Sequence, residues 1–147
     1  MSKAENALKL FESYNCAQSV LAAYAKDFGL EKEKALSIAA GFGGGMGRLQ
    51  ETCGAVSGAI AVLGLASDYK EADGRDKINT VYAQVRRLAE DFKREHGTVK
   101  CRDLLSCELL SEEGHKYFNE HNLRKTNCGE YIRLCCGLLD KYLAKEK

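Results

Sequence analysis

Residues Cys53 to Ala66 read Cys-Gly-Ala-Val-Ser-Gly-Ala-Ile-Ala-Val-Leu-Gly-Leu-Ala, without a single charge. A helix that is apolar all round has no face to give to water, so other segments must cover it. At this length it is too short to cross a bilayer. Gly54, Gly58 and the adjacent alanines carry so little side chain that a second helix can approach closely. The stretch therefore reads as a buried central helix. At 147 residues the chain is long enough to bury roughly 68–70% of its unfolded surface, which leaves room for such a core.

The remaining pattern is helical throughout. The chain has no proline, and its β-branched residues never alternate as a strand would require. Ser2 caps a first helix carrying Ala4, Leu8 and Phe11. Asn15 caps a second, with Ala17, Val20, Leu21, Tyr24 and Phe28 on one stripe and Gly29 as its stop. A third helix spans 31–40, with Ala35, Leu36 and Ala39 inward. Glu51 or Thr52 opens the central helix. Asp73 starts a long fifth helix with Ile78, Val81, Tyr82, Val85, Leu88, Ala89 and Phe92 inward, ended by Gly97. Thr98 caps a short sixth, Ser111 opens a polar seventh, and Thr126 or Asn127 opens the last, whose stripe includes Tyr131, Ile132, Cys135, Leu138, Leu139 and Tyr142. The expected fold is all-α, a single-domain bundle (1–147) of about six to eight helices with a glycine-rich loop before the central one.

Composition narrows the function. A net charge of +1, with both signs spread along the chain, gives no nucleic-acid footprint and no membrane patch. The first residues lack the basic and apolar regions of a signal peptide, so the expected location is cytoplasmic with no membrane span. Seven cysteines, Cys16, Cys53, Cys101, Cys107, Cys128, Cys135 and Cys136, are many for that compartment, where they more often mean metal or redox chemistry than disulfides.

Four of the seven fall alike. Cys16, Cys53, Cys101 and Cys128 each lie in the first turn of an expected helix, after Asn15, Thr52, Thr98 and Asn127, with an apolar residue three or four places on. These are the second, fourth, sixth and eighth helices, which start at the same end of an up-and-down bundle. A helix N-terminus carries roughly +0.5 of an elementary charge and stabilises thiolate over thiol. If the four sulfurs meet in pairs, they make dithiol–disulfide switches. If all meet, four thiolates with a divalent metal leave a charge of about −2, which four converging helix ends offset. That would be a Cys₄ zinc or iron–sulfur site. No two cysteines have the Cys-x₂-Cys spacing of a zinc ribbon. Cys135 and Cys136, among leucines mid-helix, read as core fillers, and Cys107 is undistinguished.

Before Cys53 runs Gly41-Phe-Gly-Gly-Gly-Met-Gly-Arg48. No strand precedes it, Met46 breaks a Gly-x-Gly-x-x-Gly fingerprint, and no Gly-Lys-Ser/Thr follows, which excludes the common nucleotide loops. The amides of Gly43, Gly44, Gly45 and Gly47 are expected to face the sulfur site or a bound anion, with Arg48 adding positive charge. The alternatives are a tight reversal and a surface pair between Arg48 and Glu51. His115 and His121 are at the wrong interval to share a metal, and Tyr14 is a candidate shield for the sulfurs.

These residues resemble one known family. Asn15-Cys-Ala17, Gly41 to Arg48, Cys53-Gly-Ala-Val-Ser-Gly58, Cys101-Arg-Asp-Leu-Leu105 and the late Cys128 look like the C-GCAxxG-C-C family, named for suspected redox activity. The resemblance runs from about Phe11 to Leu139 and places the family's four characteristic cysteines on Cys16, Cys53, Cys101 and Cys128. Some relatives carry haem-binding extensions; this chain has no Cys-x-x-Cys-His, so no covalent haem is expected.

The leading expectation is a redox protein cycling those cysteines between thiol and disulfide or through a redox-active metal centre, with an unidentified redox partner protein. Cys53 is expected as the most reactive sulfur and Cys16 as its partner. The alternative is a non-enzymatic metal-binding module using the same four as ligands. A third reading is a homo-oligomer in which the small-residue helix packs on a symmetry mate.

Overall fold

The structure, a computed structural model, describes residues 1–144. Eight helices follow one another: α1 (Lys3–Leu10), α2 (Cys16–Ala25), α3 (Lys32–Ala39), α4 (Gly54–Ser67), α5 (Arg75–His96), α6 (Cys101–Leu105), α7 (Glu112–Glu120) and α8 (Gly129–Ala144). Among the described residues there is no strand, only an isolated bridge between Thr52 and Lys100. No helix among them is long and apolar enough to cross a membrane.

α4 is the axis. Its residues Gly54 to Ala59, with Val62 and Leu63, are buried. α2 packs along it, α8 and α5 cover its other sides, and α1 and α3 back up α2. The close approach is to α2: a Cβ on Gly58 would sit 2.7 Å from the Ala17 carbonyl oxygen and 3.1 Å from Ala17 Cα. The Gly54 and Gly58 side of the small-residue helix is thus occupied by α2. Leu21, Tyr24, Leu63, Leu88, Phe92, Ile132 and Leu139 fill the core, and Cys135 and Cys136 are fully buried among them.

Several helix ends follow from local chemistry. Ser2 accepts from the Glu5 amide, and Ser111 accepts from the Gly114 amide. Asn15 and Gln18 form a reciprocal capping box, which satisfies two otherwise orphaned amides. Gly29 and Gly97 end their helices in the left-handed region.

Four expected helix starts are corrected. Thr52 and Glu51 do not cap α4, nor Thr98 α6. The Cys53 amide donates to the Val99 carbonyl and the Cys101 amide to the Glu51 carbonyl, both at 2.7 Å. This backbone pairing holds 51–53 extended against 99–101, so Cys53 itself becomes the N-cap of α4 and Lys100 that of α6. Thr126 and Asn127 do not open α8 either. The helical path begins earlier, at Leu123, and passes through a π-turn, Arg124–Cys128, in which the Gly129 amide reaches the Arg124 carbonyl.

Two stripe residues also differ. Tyr82 is 56% exposed and Phe28 37% exposed. Of the α5 stripe only Leu88 and Phe92 are buried, because the surrounding helices cover chiefly its C-terminal half. Asp73 is not the first cap of α5, whose N-cap is Gly74; its carboxylate accepts from the Lys70 amide instead.

The α2–α4 contact yields a paired test by denaturant melts. Gly58→Ala should destabilise by about 1–3 kcal/mol, because the new methyl meets backbone. Gly64→Ala lies on the same helix, with nothing within 4 Å of the place its methyl would take. That change should be neutral or stabilise by about 0.5–1 kcal/mol.

Candidate functional site

At one end of the bundle six segments enclose a cavity of about 420 Å³. Cys16, Cys53, Cys101 and Cys128 all line it, as do Gly43, Gly44, Gly45, Gly47 and Arg48. The four expected cysteines and the expected residues of the glycine loop are therefore in its wall. Cys135 and Cys136 are core residues, and Cys107 is partly buried outside the wall. All seven cysteines are free thiols.

Three of the four cavity cysteines sit at helix starts and one does not. Cys16 is the first residue of α2, Cys53 the N-cap of α4 and Cys101 the first residue of α6. Cys128 closes the π-turn, so the helix-start argument does not extend to it. A π-turn inserts one residue into a helix and is frequent at functional sites.

The glycine loop is a left-handed turn. Gly44, Gly45, Met46, Gly47 and Arg48 have φ of 67°, 68°, 68°, 59° and 66° in succession. L-residues resist this region by roughly 1–2 kcal/mol each, so glycine suits it and Met46 and Arg48 are held there under strain. The Gly47 amide donates to Gly41 O, the Gln50 amide to Gly44 O and the Glu51 amide to Gly45 O. Asn15 fastens the loop to the start of α2 by donating to Ala40 O at 3.0 Å. The turn brings the Gly44 amide to the Cys16 sulfur. Gly54 gives that sulfur its seat: a methyl at Gly54 would overlap Cys16 Sγ and crowd Phe42 O and Ala17 N.

Burial, not helix dipoles, governs the thiols. All four have raised pKa values, with desolvation the largest cause for each. Cys101 is pushed up to about 11 and Cys128 to about 12, while Cys53 goes well above the ordinary thiol value. The amides that were to favour thiolate are partly spent. Those of Cys101 and Arg102 donate to Glu51 O and Gln50 O, and that of Cys53 to Val99 O.

Cys16 is the exception in kind. Its sulfur faces the amides of Gly44, Ala17 and Cys16 itself, and the Arg124 guanidinium, all of which lower its pKa against burial. Cys53 has only the Ala55 and Val56 amides in its favour, and Cys16 raises it. The surroundings therefore favour a thiolate at Cys16 over one at Cys53, reversing the sequence-based order.

Two residues that the sequence did not single out organise the site. Arg124 donates to Phe11 O at 2.6 Å and Tyr14 O at 2.9 Å, with its guanidinium 3.9 Å from the Phe11 ring centroid. It ties the α1–α2 connection to the π-turn beside Cys16 and Cys128. Gln50 is buried in the left-handed region. It donates to Cys107 O and accepts from the Leu109 amide, both at 2.8 Å, with its Nε2 4.0 Å from Cys101 Sγ. Tyr131 lines the cavity, whereas Tyr14 does not and lies beneath Lys32. Arg48 and Glu51 form no ion pair among the described residues.

Among the described residues no group of three or more His, Cys, Asp or Glu has the arrangement to hold a metal ion.

A family model described as "Putative redox-active protein (C_GCAxxG_C_C)" matches residues 14–142. No curated protein and no solved structure matches the chain.

Thiol alkylation mapped by mass spectrometry tests the electrostatics. At pH 8 iodoacetamide should modify Cys107 first, since it is partly exposed and only burial raises it, and Cys135 and Cys136 last. A raised pKa means that thiolate accumulates only as pH climbs, so cavity labelling should accelerate above about pH 9. Arg124→Met removes a charge that favours the Cys16 thiolate, and should move the Cys16 profile to higher pH while leaving Cys107 unchanged.

Proposed function

The chain belongs to the C-GCAxxG-C-C family, and we propose that it is a redox protein whose cavity thiols exchange with a disulfide of a guest. The observation that carries this reading is that the family's four cysteines, distant in sequence, line one cavity together with the glycine loop. Cys16 is the attacking thiolate, supported by amides on two elements and by Arg124. Cys53 is the resolving thiol, because Cys16 Sγ rests against Gly54, the residue next to Cys53. Cys101 and Cys128 form the remaining sulfur wall and serve as the second dithiol.

The step balances as ordinary thiol–disulfide exchange. Cys16 thiolate attacks one sulfur of the guest, whose S–S bond breaks and whose other sulfur leaves with the electron pair and takes up a proton. Cys53 thiolate then displaces the guest's remaining sulfur from Cys16. Two protein thiols become one disulfide, and the guest leaves as thiols carrying the two protons. Raised thiol pKa values make the protein a sluggish nucleophile in bulk water, so activity depends on a guest that enters the cavity.

Titration with diamide followed by thiol counting and peptide mapping checks the pairing. The expected product is a Cys16–Cys53 disulfide, with Cys135 and Cys136 still reduced. Cys16→Ser should abolish that product, Cys107→Ser should leave it intact, and Gly54→Ala should cut its rate at least tenfold by displacing the Cys16 sulfur. Loss of all seven thiols together, or oxidation confined to Cys107, would refute the assignment.

A further inference from the structure

The cavity wall has a one-sided charge. Among the described residues no Asp or Glu lines it, whereas Arg48 and Arg124 do. Arg48 is exposed, its guanidinium has no carboxylate or hydrogen-bond partner among the described residues, and its side-chain stem lies over Gly44. It is also held at a φ of 66° that arginine does not favour; strain of this kind clusters at ligand sites. Arg124 is satisfied by two carbonyl oxygens, which neutralise none of its charge. Phe11, Leu104, Leu109 and Phe118 give the wall an apolar side.

Depth follows from exposure. Cys53 and Cys101 are 6% and 7% exposed, while Arg48, His115 and Arg124 are exposed. Cys53 and Cys101 form the floor, Cys16 and Cys128 are half-buried above it, and Arg48 and Arg124 stand at the rim. A cavity of about 420 Å³ is in the range that holds small molecules, roughly 300–1,000 Å³. A disulfide on a folded protein surface is too broad to reach such a floor.

We propose that the guest is a small organic disulfide carrying a carboxylate, whose apolar body lies against the leucine and phenylalanine wall and whose anionic end meets Arg48 at the rim. Arg48 is a binding residue here, and the unpaired positive field raises the local concentration of anions over neutral analogues. This rests on the thiol-exchange reading, since it names the substrate class of the same cavity.

The test uses reduced full-length protein under anaerobic conditions and two isosteric probes in excess, dithiodipropionate and its neutral bis-amide. Their disulfides have the same chemistry, so only the anionic ends differ. The dianion should oxidise the cavity thiols about tenfold faster than the bis-amide, with the preference shrinking in high salt as screening sets in. Arg48→Gly, which also relieves the backbone strain, should bring the dianion's rate down to that of the bis-amide in the same variant, and Arg48→Lys should retain most of the preference. Suberate, the sulfur-free isostere of the dianion, should protect Cys16 from iodoacetamide in the native protein but not in Arg48→Gly. Equal rates for the two probes would overturn the substrate class and leave thiol exchange standing. Oxidation by neither probe, with suberate still protecting, would overturn both and leave only an anion-binding cavity.

Discussion

The contact of α4 with α2 sets the geometry of everything around it. Glycine at 54 and 58 lets the two backbones approach until Cys16 Sγ and the Ala17 carbonyl occupy the space where side chains would otherwise stand. Packing at this distance is available only to residues without a Cβ, and it places the starts of both helices together. Cys16 and Cys53 are neighbours because the helix axes are close, not because either thiol attracts the other. The same contact leaves the glycine loop nowhere to go but over the start of α2, where Asn15 pins it.

The surrounding core isolates this arrangement from water. Tyr24 donates to Asp140 at 2.6 Å and lies 2.9 Å from the Cys136 carbonyl, joining α2 to α8 on the far side of the bundle from the cavity. Tyr142 bonds Asp91 and joins α8 to α5. These links hold the helices that wall the sulfurs, and the desolvation they enforce is what keeps the thiols protonated.

Much of the fold was legible because it is written locally. The reciprocal bonds of Asn15 and Gln18, the hydroxyls of Ser2 and Ser111, and the left-handed Gly29 and Gly97 each depend on a few adjacent residues. Thr52 and Thr98 misled for the opposite reason: 51–53 pairs with 99–101 across the chain, which puts Cys53 and Lys100 at the helix starts, and long-range pairing outweighed local capping. Cys16, Cys53 and Cys101 were legible from helix position and the glycine loop from its cost, whereas Cys128 lies in a π-turn that helix position does not reveal. Gln50 and Arg124 were not, since each acts on partners far away in sequence, Arg124 on carbonyls more than a hundred residues earlier. The direction of the thiol shifts was misjudged because helix position is visible in a sequence whereas depth of burial is not.

The π-turn before α8 has a consequence for how such a chain tolerates change in length. It holds one residue more than an α-helical turn would, and it is followed without interruption by the helix that carries Ile132, Cys135 and Leu139 inward. Deleting one residue between Arg124 and Cys128 would let the helix run regularly from Leu123, and would rotate the preceding chain by about 100° relative to α8. Arg124 would then swing off the Phe11 ring while the core stripe kept its phase. The wide turn acts as a phase adjuster, allowing the buried stripe and the sulfur-bearing wall to be set independently on one continuous helix.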